Sequence, residues 1–433
     1  MCVMVAEGVG MIVEFQFNNW KSYLQASLSI DSLTVLIGNN ASGKSNILDG
    51  ILFLTRIASG STLTSALQGD SALTPLRGGI EWAPRKPGTK FGLGVTIRTD
   101  EHQDLIYRID CIASANKCEV SAENLERVTY RKRSNGGRGA AFRPIKLFWT
   151  DPVDSESPTV QARLYNEKGG TLRQLGRSNP VLFQLVGQKS RSEIQEGVDA
   201  VITALRQIFV LDAIPSHMRG FSPLSDRLEA DAGNIAGVLA ALSDEQKKEV
   251  EKTLSDYVAR LPEKDIKRVY AETVGRFKSD AMLYCEETFA GSKDETIDAR
   301  GMSDGTLRFL AILTALLTRP SGSLLIVEEV DNGLHPSRSQ LLIEVLKDIG
   351  QKREVDVMVT THNPALLDAM GTAMVPFITV SHRNSRTGCS ELTLLEDIEQ
   401  LPKLLASGLV GRLSSQGLIE QALSVNSSRP RRQ

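Results

Sequence analysis

The chain has 433 residues, 41% of them hydrophobic and 24% charged, with a formal net charge of -2. That length supports two or three ordinary domains, and the near-neutral balance excludes a global basic field that would hold nucleic acid or a membrane surface without a local site. No run approaches the ~18 consecutive apolar residues of a membrane span, the first ten residues lack the charged flank of a signal peptide, and the cysteines Cys2, Cys111, Cys118, Cys285 and Cys389 form no CxxC pair, so a cytoplasmic chain with free thiols is expected.

Residues 1–10 form an apolar leader, and the first strand pattern is the alternating run Met11-Ile12-Val13-Glu14-Phe15-Gln16-Phe17 that follows it. Leu33 to Ile37 is apolar and β-branched enough for a buried strand, and Ile47, Leu48, Ile51, Leu52 and Leu54 then repeat at helical spacing. Two alternating runs, Phe91 to Arg98 and Leu105 to Ile112, flank the turn residues Asp100 and Glu101 and predict an antiparallel β layer. Residues 127–146 read as a basic, glycine-rich break: Arg127, Arg131, Lys132, Arg133, Arg138, Arg143 and Lys146 occur with no acid between them. A solvated flexible loop is the plain reading of that stretch. Nucleic acid held there is the sharper one, with Tyr130 and Phe142 stacking on bases.

Beyond residue 175 the pattern turns helical, with Ile194 to Phe209 and Glu245 to Leu261 as predicted helices of an insertion. Strand-like runs return at Ile266 to Ala271 and Ala281 to Glu286, followed by a second α/β stretch from Met302 to Thr379. The tail from Leu401 ends in Ser427-Ser428-Arg429-Pro430-Arg431-Arg432-Gln433, which has nothing to bury.

Gly38-Asn39-Asn40-Ala41-Ser42-Gly43-Lys44-Ser45 is a strict G-x-x-x-x-G-K-S set between a predicted strand and a predicted helix. Terminal glycines let backbone N–H groups wrap a phosphate at a helix N-terminus; Lys44 then reaches the β- and γ-phosphates and the Ser45 hydroxyl ligates Mg²⁺. The buried strand Ser323 to Val327 runs directly into Glu328 and Glu329, where ligands bind in open α/β sheets. Glu328 suits Mg²⁺ and Glu329 suits activation of water, although two acids at a strand end are by themselves more often solvated charges. A further strand, Val355 to Thr360, leads to His362. A lone histidine there is ordinarily structural, and in this position it is also a candidate γ-phosphate contact. Ser303 is a good N-cap for the helix Leu307 to Leu317 and Asp304 suits its first turn. Gly305 is less easily explained by helix stability and suggests a close approach to the backbone.

Together these residues resemble the ABC-type ATPase heads of the SMC, RecF and OLD proteins, and most closely the compact AAA-family ATPases of bacterial anti-phage defence operons. The P-loop extended by Asn46 matches that group's pattern; Met302 to Thr306 is similar to the signature motif, Glu328-Glu329 to Walker B, Asp331 to Pro336 to the D-loop and His362 to the switch histidine. Glu328 stands where the group has aspartate, which puts turnover in doubt. For the Q-loop glutamine, Arg77 is the preferred counterpart over Gln68.

The resemblance implies an α/β head with a P-loop core sheet, an antiparallel β layer and a helical insertion, divided as 11–174, 175–262, 263–400 and a 401–433 tail. It implies ATP and Mg²⁺, slow hydrolysis, and a homodimer in which Ser303, Asp304 and Gly305 of one subunit cap the nucleotide of the other. It also implies a separate effector, a nuclease or toxin encoded nearby, and no membrane. The competing readings are a repair ATPase of the RecF or SMC kind and a nuclease of the OLD kind. The second needs a metal-binding domain after His362, where Asp368, Glu391, Glu396, Asp397 and Glu399 show no D-x-D spacing.

Overall fold

The computed structural model of the protein describes residues 10–133, 137–153, 157–261, 266–288, 295–332 and 335–426. Most of the expected leader, positions 333–334 of the expected D-loop and the end of the expected tail lie outside the described residues. The strands in chain order are β1 (Met11–Trp20), β2 (Tyr23–Ser29), β3 (Leu33–Ile37), β4 (Lys90–Asp100), β5 (Gln103–Ala113), β6 (Cys118–Lys132), β7 (Arg138–Thr150), β8 (Thr159–Leu164) and β9 (Thr171–Gly176). They continue as β10 (Ile208–Leu211), β11 (Ser222–Pro223), β12 (Ile266–Val274), β13 (Asp280–Glu287), β14 (Glu295–Asp298), β15 (Leu324–Val327), β16 (Asp356–Thr360), β17 (Ile378–Arg383) and β18 (Ser390–Leu394).

A 14-stranded sheet runs β10-β15-β16-β3-β17-β18-β2-β1-β4-β5-β6-β7-β8-β9. Its first five strands are mutually parallel. From β1 and β2 onward it is an antiparallel meander, so the predicted β layer is the lateral continuation of the core sheet. The parallel strands β3, β15 and β16 are buried on both faces, which is why they read as unbroken apolar runs.

Alternation along these strands sorts the core into two layers. Leu36, Leu324, Ile326 and Met358 pack with the helix Lys44–Ala58, the helix Ser192–Arg206 and the inner face of the meander. Val35, Leu325, Val327 and Val359 point the other way, into the helices Asp304–Thr318, Ser339–Arg353 and Pro364–Met370 and a smaller sheet of β11 to β14. The two motif-bearing helices therefore occupy opposite faces of one sheet.

Two stretches differ from the sequence expectation. The predicted helix Ile194 to Phe209 ends at Arg206, and Ile208–Leu211 becomes the edge strand β10, parallel to β15. A short continuous apolar run carries no period that separates strand from helix. Of residues 127–146, expected as a flexible break, 127–132 and 138–146 instead form the paired arms of β6 and β7, with Thr129 opposite Phe142 and Lys132 opposite Arg138, and 134–136 lie outside the described residues.

Glu123 of β6 is 2% exposed and accepts hydrogen bonds from Tyr107 Oη (3.0 Å), Val181 N (2.7 Å) and Leu182 N (2.7 Å), tying the short helix Val181–Gln184 to the meander. Burial pushes its carboxyl up to about 7, against those hydrogen bonds, which pull it down. Between the unfolded value of 4.5 and about 7 the folded chain holds a proton that the unfolded chain has released. The contribution of Glu123 to stability thus falls as pH rises through that window. The unfolding free energy of Glu123→Gln relative to the native chain is expected to improve between about pH 4.5 and about pH 7, read by denaturant titration; a pH-independent difference would refute the assignment.

Candidate functional site

The loop between β3 and the helix Lys44–Ala58 is held in a conformation that ordinary residues resist: Gly38 has φ 148, Ala41 φ 64 and Gly43 φ 119. The glycines are also required by space. A Cβ on Gly38 would lie 2.2 Å from the Ser381 carbonyl oxygen of β17, and one on Gly43 would lie 2.7 Å from both Ser390 Oγ and Tyr23 Oη. Tyr23 Oη bonds Ser381 Oγ at 2.9 Å, and Ser381 Oγ donates to the Ser42 carbonyl at 3.2 Å, so β2, β17 and β18 form the floor of the loop. Burial raises the Tyr23 phenol far above its ordinary range, so it stays protonated.

Within the loop Ser42 N donates to Asn39 O at 3.1 Å. Among the described residues the N–H groups of Asn40, Ala41, Gly43, Lys44 and Ser45 have no acceptor, and the buried Ser42 hydroxyl has no partner. Orphan donors at a helix N-terminus, with left-handed residues interleaved, form an anion nest. Lys44 Nζ turns back onto the carbonyls of Gly38 (2.5 Å) and Asn39 (3.2 Å). Burial lowers its pKa, while the charges of Glu329 and Glu328 raise it. Those acids are therefore near enough to the amine for their fields to act on it. Asn46 donates from Nδ2 to Ser22 Oγ at 2.7 Å and accepts on its carbonyl from Trp20 Nε1 at 2.6 Å, fixing the first turn of the helix.

At the end of β15, Glu328 is half-buried and Glu329 exposed, the latter in the left-handed region at φ 47. Thr360 of β16 pins this turn: its Oγ1 accepts from Glu329 N at 2.8 Å and its carbonyl accepts from Val330 N at 3.1 Å. Thr361 Oγ1 donates to the buried Asp331 at 2.5 Å, and the exposed His362 follows on the same connection. Arg77 reaches Glu328 at 3.4 Å and lies 3.9 Å from Asp49 of the Lys44–Ala58 helix. Lys21 bonds Asp49 at 2.5 Å and the Arg77 carbonyl at 2.7 Å. Gln68, the other candidate for the Arg77 role, is exposed at the end of its own short helix.

The Ser303 segment is elsewhere. Ser303 and Asp304 are exposed and Gly305 is buried in the first turn. Ser303 caps the helix by accepting from Thr306 N at 3.1 Å. Arg219 grips the preceding turn, donating to the carbonyls of Ala299 (3.0 Å), Arg300 (2.9 Å) and Met302 (2.8 Å) and pairing with Asp304 at 2.6 Å. Among the described residues no hydrogen bond joins this turn to the P-loop. The structure thus links Arg77 to Glu328 and to the Lys44–Ala58 helix and sets Glu328 and Glu329 within electrostatic reach of Lys44, with His362 on the neighbouring connection. It leaves Ser303, Asp304 and Gly305 apart.

Residues 33–145 and 192–368, well over half of the chain, match the family described as "AAA domain, putative AbiEii toxin, Type IV TA system". The chain belongs to that family. No curated protein matches it. This AAA-family chain shares its fold with the Smc head bound to the C-winged helix domain of ScpA, at TM-score 0.50 and 16% identity over 88% of this chain and 97% of that one. An Smc head domain from Pyrococcus furiosus, bound to the C-terminal domain of ScpA, aligns at TM-score 0.48 and 13% identity over 92% and 100% of the two chains. The head from Thermotoga maritima aligns at 0.39 and 12% over 89% and 98%. The protein thus carries an AAA domain in the fold of an SMC head.

Proposed function

We propose that the chain binds ATP with Mg²⁺ at the Gly38 to Ser45 loop, hydrolyses it slowly in a homodimer that sandwiches two nucleotides, and thereby regulates a separate effector. The observation that carries this reading is the donor set of the loop: unaccepted N–H groups, a partnerless buried hydroxyl, and a lysine resting on carbonyls that phosphate oxygens would replace. Ser45 and Glu328 would hold the metal, which supplies charge neutralisation at the β- and γ-phosphates when bound. Glu329 would take a proton from the attacking water, and His362 would contact the γ-phosphate. Arg77, already bridging Glu328 to the P-loop helix, would report nucleotide occupancy to that helix.

The dimer is supported by the sheet. The signature helix and the P-loop helix lie on opposite faces, and among the described residues no hydrogen bond joins the exposed Ser303 turn to its own loop, which supports a head-to-tail second copy that brings a Ser303 turn to each loop. The family's description names a putative toxin and a type IV toxin–antitoxin system, and the separate effector and the anti-phage role rest on the resemblance of the motifs to compact defence ATPases.

Mixing Lys44→Ala chains with Ser303→Arg chains tests the sandwich. Each alone should be inactive, whereas the heterodimer holds one intact site and should recover ATPase activity. No recovery from two folded variants would count against action in trans.

A further inference from the structure

We infer that Arg219 is a positioning residue of the composite nucleotide site: it turns the Asp304 carboxylate away from the triphosphate that the Ser303 turn of one subunit meets in the other. This inference rests on the head-to-tail dimer proposed above and adds a residue to it. Arg219 follows β10, whose last residue, Leu211, accepts from Glu328 N at 3.4 Å. Between Leu211 and Arg219, Asp212 N donates to Ala230 O at 2.8 Å, Ile214 N donates to Asp231 O at 2.9 Å, and Met218 is buried, so the segment that carries the arginine is anchored to the body of the fold. The guanidinium is fixed in turn. One of its nitrogens donates to the carbonyls of Ala299 (3.0 Å), Arg300 (2.9 Å) and Met302 (2.8 Å), and the other reaches Asp304 Oδ1 at 2.6 Å.

Stability alone does not call for this arrangement. Arg300, Gly301 and Ser303 are exposed, and carbonyls of an exposed turn can be satisfied by water, whereas ordering a long arginine over them costs rotamer freedom. The turn's own cation, Arg300, is committed to Asp298 at 2.5 Å and does not serve Asp304. The donors of the turn explain why the acid has to be restrained. Among the described residues the N–H groups of Asp304 and Gly305 have no acceptor, and Ser303 Oγ lies beside them, bonded to Thr306 N and Thr306 Oγ1. In the dimer these are the groups that face the partner's phosphates, at the N-terminus of a 15-residue helix. The Asp304 side chain is 67% exposed and brings a negative charge to the same place. A free carboxylate there would compete with a triphosphate for the donors and repel it; held against Arg219 it does neither.

The test takes Glu329→Gln as the parent, in which ATP-driven dimer formation is read by light scattering without turnover. Adding Arg219→Gln should raise the ATP concentration needed for half-dimerisation by about tenfold or more, because it leaves like charges face to face. Adding Asp304→Asn as well should restore most of that loss, since the carboxylate that Arg219 restrains is gone; loss of a merely structural grip on the three carbonyls would not be restored. Against misfolding, Arg219→Gln chains with native Glu329 should recover ATPase activity when mixed with Lys44→Ala chains, which supply an intact turn. Three results would overturn the assignment and leave the sandwich standing: an Arg219→Gln variant that dimerises as readily as its parent, a loss that Asp304→Asn leaves unchanged, or no recovery in this mixture although Ser303→Arg chains recover in theirs. A parent that never dimerises removes the sandwich itself, and with it this role of Arg219.

Discussion

Lys44→Ala is expected to lower affinity for ATP by about a hundredfold or more, measured by titration calorimetry. The amine sits on the carbonyls of Gly38 and Asn39, where burial lowers its pKa and the charges of Glu329 and Glu328 offset that only in part. A triphosphate offers a stronger partner than two neutral carbonyls, and each charge-assisted hydrogen bond is worth about 1.5–3 kcal/mol. Losing two such bonds exceeds about 3 kcal/mol, which is the expected hundredfold. Alanine is the best helix former and Lys44 is the first residue of its helix, so the fold should survive the change. The orphan N–H groups remain in the variant, and they account for residual weak binding. Unchanged affinity in a folded variant would refute the phosphate-binding role of the loop.

The loop was legible in the sequence because all its parts are local. A β-branched run, two glycines and a helical repeat lie within a few dozen residues, and each has its own physical reason for being there. The floor beneath it was not. Tyr23 meets Ser381 and Ser22 meets Ser390 only after the chain has returned from the far side of the fold, and serines in strands carry no signal of such a meeting. Arg77 was singled out by its place in the chain, but its pairing with Glu328 and its link through Asp49 to Lys21 depend on tertiary packing. Arg219 is a similar case: nothing local indicates that it grips the Ala299 to Asp304 turn. The ribbon of β6 and β7 was hidden for a different reason. Its charges and glycines mask the apolar alternation of Val128, Ile145 and Leu147, so composition suggested a loop where backbone pairing makes a sheet.

Glu329→Gln is expected to convert the ATP-bound protein into a persistent dimer, seen as a doubling of mass in light scattering when ATP and Mg²⁺ are added. The substitution keeps side-chain length and removes one negative charge from the opening in which Glu328, Glu329 and Lys44 feel one another. Two consequences follow from that single change. The amide cannot accept the proton of an attacking water, so hydrolysis stops. The repulsion between Glu329 and a bound triphosphate also disappears, so nucleotide is held more tightly. The backbone should tolerate the change, because Thr360 pins the turn through main-chain contacts and Gln meets the same left-handed backbone demand that Glu meets. With ATP trapped at both loops, the exposed Ser303 turns of two chains have a lasting partner, and the dimer should outlive the mixing time. Combining Glu329→Gln with Ser303→Arg should abolish the mass increase while leaving nucleotide bound to each monomer. A Glu329→Gln chain that binds ATP yet stays at monomer mass would leave the nucleotide site intact and remove the sandwich from the mechanism.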